Sequence, residues 1–188
     1  MALTISILSL LISALTFWLT RMWKGQLKMT RPTIICLVGK NGNDEPKVFL
    51  RTLLYCTSDK GQYIQNMFIR IHANQAVYDL NVWAYGDSGL VRGSGLFVSK
   101  TGVSIYHHFL LSKNEQWRPT PGAYKLEVYA ENSGNVIKKL FEYELTVTIE
   151  QIAALGNGKV IYFDWAPNWG KYMSSIDSGV TKQRSQAI

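Results

Sequence analysis

The chain has 188 residues, 47% of them hydrophobic, and a formal charge of +7 with a pI near 9.4. Residues 1–31 hold four cations and no acid, which leaves 16 cations against 13 acids, or +3, for the rest. The basic balance is a local feature, so it gives little support to nucleic-acid binding, and the length beyond it suits one domain with a real core.

From Ala2 to Thr20 no residue is charged, and Leu, Ile, Phe17 and Trp18 dominate. Nineteen helical residues rise roughly 28 Å at about 1.5 Å each, close to the ~30 Å hydrocarbon core of a bilayer. Trp18 and Trp23 stand where an aromatic belt lies. A cleaved signal peptide wants positive charge before its apolar run and small residues after it. Here no Lys or Arg precedes the run, and the exit "TFWLTRMWKG" is bulky and basic. Residues 1–20 are therefore expected to form a transmembrane helix and residues 21–31 a basic juxtamembrane linker. Arg21, Lys24, Lys28 and Arg31 all follow the span. Positive flanks stay cytoplasmic, which puts the short N-terminus outside and the large C-terminal part in the cytoplasm. The same four side chains suit anionic head groups, so membrane lipids are the expected partner of residues 2–31.

The domain is expected over 32–173, with a small, polar, flexible tail over 174–188. Alternating apolar and polar residues predict strands at 33–38, 48–57, 62–72, 77–85, 90–98, 103–111, 122–131 and 137–149. "GKNGNDEP", "SDKG", "GDSG", "SKTG", "PTPG" and "ENSGN" punctuate them. In 122–131, Tyr124, Leu126, Val128 and Ala130 point inward, with Lys125, Glu127 and Glu131 outward. In the last strand Phe141, Tyr143, Leu145, Val147 and Ile149 share a face. Short strands without a long amphipathic helix between them argue for an all-β antiparallel sandwich. Cys36 and Cys56 fall in two of these apolar runs. They read as buried thiols in a reducing compartment, or as a pair in an oxidising one if their strands are neighbours.

Several motifs invite a chemical reading. "GDSG" at 86–89 makes Ser88 a candidate serine-hydrolase nucleophile, with His72 and Asp79 earlier in the chain. A hairpin turn explains the same residues, and too little chain precedes Ser88 for a two-barrel protease. Gly93 and Gly95 in "RGSGLFV" lack the following helix that a phosphate cradle needs, so a β-bulge or a close backbone approach is expected; the minor alternative is an anion bound by Arg92. His107 and His108 are adjacent, so on a strand they face opposite ways and do not chelate one metal. Glu127, Glu131, Glu142 and Glu144, with Lys125, Lys138 and Lys139, read as a solvated sheet face. Tyr162, Phe163, Trp165, Trp169 and Tyr172 crowd "KVIYFDWAPNWGKYM" at 159–173 and form the candidate partner surface. The rival reading makes "VIYFDW" one more strand capped by tryptophans.

"TPGAYKLEVYA" resembles the penultimate strand of immunoglobulin-like domains, which implies a corner hydrogen bond from Tyr124; no Cys stands two residues later, so their disulfide is not implied. "KVFLRTLLYCTSDKGQYIQNMFIRI", "WAYGDSGLVRGSGLFVSKTGV" and "HHFLL" resemble a set of small, single-pass, uncharacterised bacterial membrane proteins. That resemblance implies architecture and no activity. The expectation is a membrane-anchored protein-interaction or assembly module, non-catalytic and without cofactor or metal. The alternatives are a periplasmic or extracellular ligand-binding domain and a serine hydrolase using Ser88.

Overall fold

The structure is a computed structural model that describes residues 2–22, 25–40, 45–74, 76–93, 95–112 and 116–177, with the side chains of residues 21 and 22 excepted. Helix α1 (Ala2–Phe17) continues into a π-helical turn at Trp18–Met22. Ala2–Thr20 is long and apolar enough to cross a membrane, and none of it is buried by the rest of the chain. All its large apolar side chains are exposed, which is costly in water and favourable in lipid.

The strands are β1 (Leu27–Met29), β2 (Ile34–Val38), β3 (Lys47–Cys56), β4 (Gln62–Ala73), β5 (Ala76–Leu80), β6 (Val82–Tyr85) and β7 (Val91–Arg92). After them come β8 (Leu96–Val98), β9 (Val103–Leu110), β10 (Gly122–Asn132), β11 (Ile137–Val147), helix α2 (Ile149–Gly156), β12 (Val160–Ala166) and β13 (Lys171–Asp177). They make two antiparallel sheets. One has the order β13-β12-β2-β3-β9-β6-β7, with β1 beside β3; the other is β11-β10-β4-β5, with β8 beside β4. Between the sheets lies one core, in which Trp83, Tyr124 and Phe109 are the largest fully buried side chains. Burying such a side chain contributes about 2–3 kcal/mol against leaving it in water.

Alternation places the core as the sequence pattern implies. Val48, Leu50, Leu54 and Cys56 of β3 are buried, as are Tyr124, Leu126, Val128 and Ala130 of β10. The Tyr124 hydroxyl donates to the Thr120 carbonyl at 2.8 Å and accepts the Thr120 N–H at 3.0 Å, the corner bond expected of it.

Four boundaries differ from expectation, each for a physical reason. The run 77–85 is two strands in different sheets, broken at Asn81. Leu80 and Trp83 are three residues apart, so one straight strand cannot turn both inward; the break buries both. The run 90–98 divides likewise into β7 and β8 around Gly93, whose added Cβ would lie 2.0 Å from the Trp83 ring. Ile149 does not join the inward face: it is exposed and opens α2. A capping box explains the helix start. The Thr148 side chain accepts the Gln151 N–H at 3.3 Å, and the Gln151 side chain accepts the Thr148 N–H at 2.9 Å. Finally, the ordered domain outruns both expected limits. β1 lies inside the expected linker with Leu27 buried, and β13 continues to Asp177, past residue 173. Residues 178–188 of the expected tail lie outside the described residues.

Candidate interaction surfaces

The five aromatics of the expected partner surface do not form one surface. β12 alternates, so its odd and even residues part company. Phe163 enters the main core. Tyr162 lies on the opposite face with Cys36 and Val160, in a small cluster against Phe49. Trp165 packs edge-on against Tyr172 and Tyr143, with ring centroids at 5.1 and 6.3 Å. The Tyr172 hydroxyl donates to the Pro32 carbonyl at 2.6 Å, and burial pushes its ionisation up. Only Trp169, at the tip of the β12–β13 hairpin, is widely exposed, with Lys171 5.8 Å from its ring centre. Beside it runs the outer edge of β13. Among the described residues no strand pairs with that edge, and Met173 and Ile176 are exposed along it.

The basic residues of the expected membrane surface also part. Lys28 is exposed on β1. Arg31 instead lies 3.8 Å over the Trp165 ring, so it clamps the chain entry to the C-terminal hairpin. The side chain of Arg21 is not described, and Lys24 lies outside the described residues.

The outer face of the smaller sheet is more organised than a solvated face. Glu127 stands at its centre and is only 6% exposed. Its carboxylate accepts from Tyr129 at 2.9 Å, Lys125 at 3.1 Å, His72 at 3.2 Å and Lys139 at 3.3 Å. Burial opposes ionisation, but the hydrogen bonds from Lys125, Tyr129, His72 and Lys139 outweigh it and hold the carboxyl down to about 2. Lys139 also bonds Glu142. Alongside, Arg70 grips Asp79 through two bonds of 2.7 and 2.8 Å, which holds that carboxyl below its ordinary range. Phe68 stacks on Tyr129 at 4.9 Å. A carboxylate this well satisfied is a poor general base at neutral pH. Sequence alternation placed Glu127 outward but gave no sign that its neighbours would close over it.

His72 and Asp79 are thereby engaged on the smaller sheet, while Ser88 lies in the turn after β6 of the larger one. The Asp87 side chain holds that turn, accepting from Arg51 and from the Tyr106 N–H, both at 3.3 Å. The hairpin reading fits this geometry. His107 and His108 face opposite sides of β9, as expected. The Trp83 indole donates to Nδ1 of His107 at 3.2 Å, and His108 stacks on Phe49 at 5.1 Å. Burial, reinforced by the charge of His108, pushes His107 down to about 3; burial and then Lys47 push His108 down to about 4. Among the described residues no three His, Cys, Asp or Glu side chains are grouped to hold a metal.

Cys36 and Cys56 sit on neighbouring strands, but the pairing of those strands separates them. Cys36 is opposite Phe49 and Cys56 is opposite Leu27, seven residues further along β3 and on its other face. At about 3.3 Å per residue the separation far exceeds the ~7 Å limit for a disulfide. Both thiols are buried and outside any disulfide, and burial, with Asp164 nearby, pushes Cys36 far up.

Two recesses remain. One, of about 320 Å³, lies between the end of β2 and α2, lined by Val38, Pro46, Trp117 and Leu155. The other, of about 400 Å³, opens at the sheet edge over Trp83 and carries Gln65, Asn66, Asn81, Arg92 and Glu131. Arg92, the anion contact of the minor alternative, therefore shares its recess with the Glu131 carboxylate. No protein-family model matches the chain, and no curated protein matches it in sequence.

Proposed function

We propose that the chain is a single-pass membrane protein whose immunoglobulin-like sandwich acts on the cytoplasmic side as a non-catalytic interaction or assembly module. The observation that carries this reading is the edge of β13, unpaired among the described residues, presenting Met173, Ile176 and the neighbouring Trp169 beside a chain entry fixed close to the membrane span. An unpaired edge is a template for an added strand, and exposed apolar side chains along it supply the pockets or knobs of recognition. The immunoglobulin-like reading draws on strand order. β2-β3-β9-β6 against β11-β10-β4 follows the A-B-E-D and G-F-C arrangement, and Tyr124 makes the corner bond on the strand corresponding to F. β12 and β13 extend the first sheet beyond its A-like edge. The non-catalytic reading draws on the engagement of His72 and Asp79 in ion pairs away from Ser88. The outward-facing ligand-binding alternative keeps the polar recess over Trp83 as support and loses the Cys36–Cys56 bond that it required.

A photo-crosslinking residue at Met173, compared with one at exposed Glu144 on β11, tests the edge in native membranes. The reading expects a discrete adduct from position 173 and none from position 144. Equal or absent crosslinking at the two positions contradicts it.

A further inference from the structure

The end of the sandwich nearest the span carries an apolar patch set among lysines. Tyr63 and Phe97 face each other across the β4–β8 pair, ring centroids 4.9 Å apart, and are 59% and 45% exposed. The β10–β11 turn lies beside them, since the Ser133 N–H donates to the Tyr63 carbonyl at 3.1 Å. The end of that turn and the start of β11 present Val136 and Ile137, 59% and 56% exposed. Asn132 holds the turn rigid by accepting the N–H groups of Gly134 and Val136 at 2.9 and 3.0 Å. Lys28, Lys60, Lys100 and Lys138 are exposed at the same end; the acids there are Asp59, bridged to Lys100 at 3.1 Å, and half-buried Glu131, opposite Ile137 on β10.

The chain enters the domain at this end. The Gly25 carbonyl accepts from Gln62 at 3.0 Å, the Gln26 N–H donates to Thr57 at 2.8 Å, and Lys138 reaches the Gln26 side chain at 3.2 Å. Helical structure after the span ends at Met22, so three residue steps separate it from Gly25. Fully extended, they reach at most about 11 Å. The head-group layer is itself several Å thick on each side of the bilayer, so a domain on this tether is held beside it.

We propose that the end of the sandwich bearing Tyr63, Phe97, Val136 and Ile137 rests on the anionic head-group surface of the membrane that holds α1. Aromatic rings with exposed aliphatic neighbours suit the interface between head groups and acyl chains, and lysines around them suit anionic lipid. The docked end directs the opposite end, with α2, toward the cell interior. This inference rests on the anchor reading proposed above.

The full chain reconstituted into phosphatidylcholine vesicles with and without phosphatidylserine tests it. A single fluorophore goes on Val136→Cys or, as a control at the far end, on Glu150→Cys; the native thiols are buried. Head-group nitroxide lipid should quench position 136 at least about twofold more than position 150, and more strongly with phosphatidylserine present. Equal quenching at both positions in chain that floats with the vesicles overturns the docking inference alone. Chain that fails to float overturns the anchor reading and the inference with it.

Discussion

Glu127 shows how far a single residue departs from its place in a pattern. Alternation sets it on the outer face of β10, yet Lys125, Lys139, Tyr129 and His72 cover it. Glu127→Gln removes the charge those donors share, and an unfolding titration in urea should show a loss of about 1–3 kcal/mol. The same change at exposed Glu142 should cost clearly less, because solvent screens its ion pairs. Period two reports which face a side chain leaves from and is silent about what lies over it, so the charged cluster was legible as a face but not as a network. His107 carries a second residue-scale prediction. Its folded pKa is depressed to about 3 from an ordinary 6.5, so the unfolded chain binds its proton first as pH falls. Its contribution is complete above about pH 6.5 and is lost progressively toward pH 3; Glu127, held at about 2, adds acid loss below about pH 4.5. The urea midpoint should therefore fall from pH 7 to pH 5, before the carboxylate titrates, through His107 and the similarly depressed His108 together, and His107→Gln should about halve the slope of that segment. An unchanged slope contradicts the account of the buried imidazole.

Among the elements, the long strands were legible because each spends its whole length in one sheet. β3, β4, β9 and β10 end within a residue or two of expectation; β3 alternates throughout, and β4 alternates from Met67 on, after a parity shift between Ile64 and Met67. The two runs that change sheets, 77–85 and 90–98, were not, because a sheet change resets the parity that periodicity measures. Gly93 is the visible trace of one of them: it lies against the Trp83 ring, and Gly93→Ala should lower stability by about 1–3 kcal/mol through overpacking. The α2 start had a local signal, Thr148 with Gln151 three residues on, which alternation in the preceding strand obscured. Tyr124→Phe tests the corner before β10. It strips the Thr120 backbone of two hydrogen bonds and should cost about 1–2 kcal/mol while leaving the strand order intact, read by urea unfolding alongside circular dichroism. The candidate partner surface failed as a set for an elementary reason: neighbouring aromatics on one strand face opposite sides, so crowding in sequence is not crowding in space. The edge proposed in its place is not revealed by sequence, because strand order is a property of the whole sheet.

At the scale of the molecule, the apolar helix, the short entry to the domain and the two sheets form a chain of constraints. A helix long and apolar enough to cross a membrane was legible from composition alone, since length and the absence of charge are enough. Arg31 was not legible as a domain residue; its role depends on Trp165, 134 positions later, lying beneath it. Arg31 belongs to the fold and not to the linker, which shortens the tether on which the proposed docking rests. The positive flank then rests on Arg21, Lys24 and Lys28, which still follow the span and still favour a cytoplasmic domain. The central claim is that the anchored domain faces the cytoplasm. Its most direct test is the labelling of Glu150→Cys by a membrane-impermeant maleimide, in intact spheroplasts of a bacterial host and again after lysis. The account predicts labelling only after lysis, on a full-length, membrane-bound chain. Labelling in intact spheroplasts would contradict it and place the sandwich, with its polar recess, on the outer side.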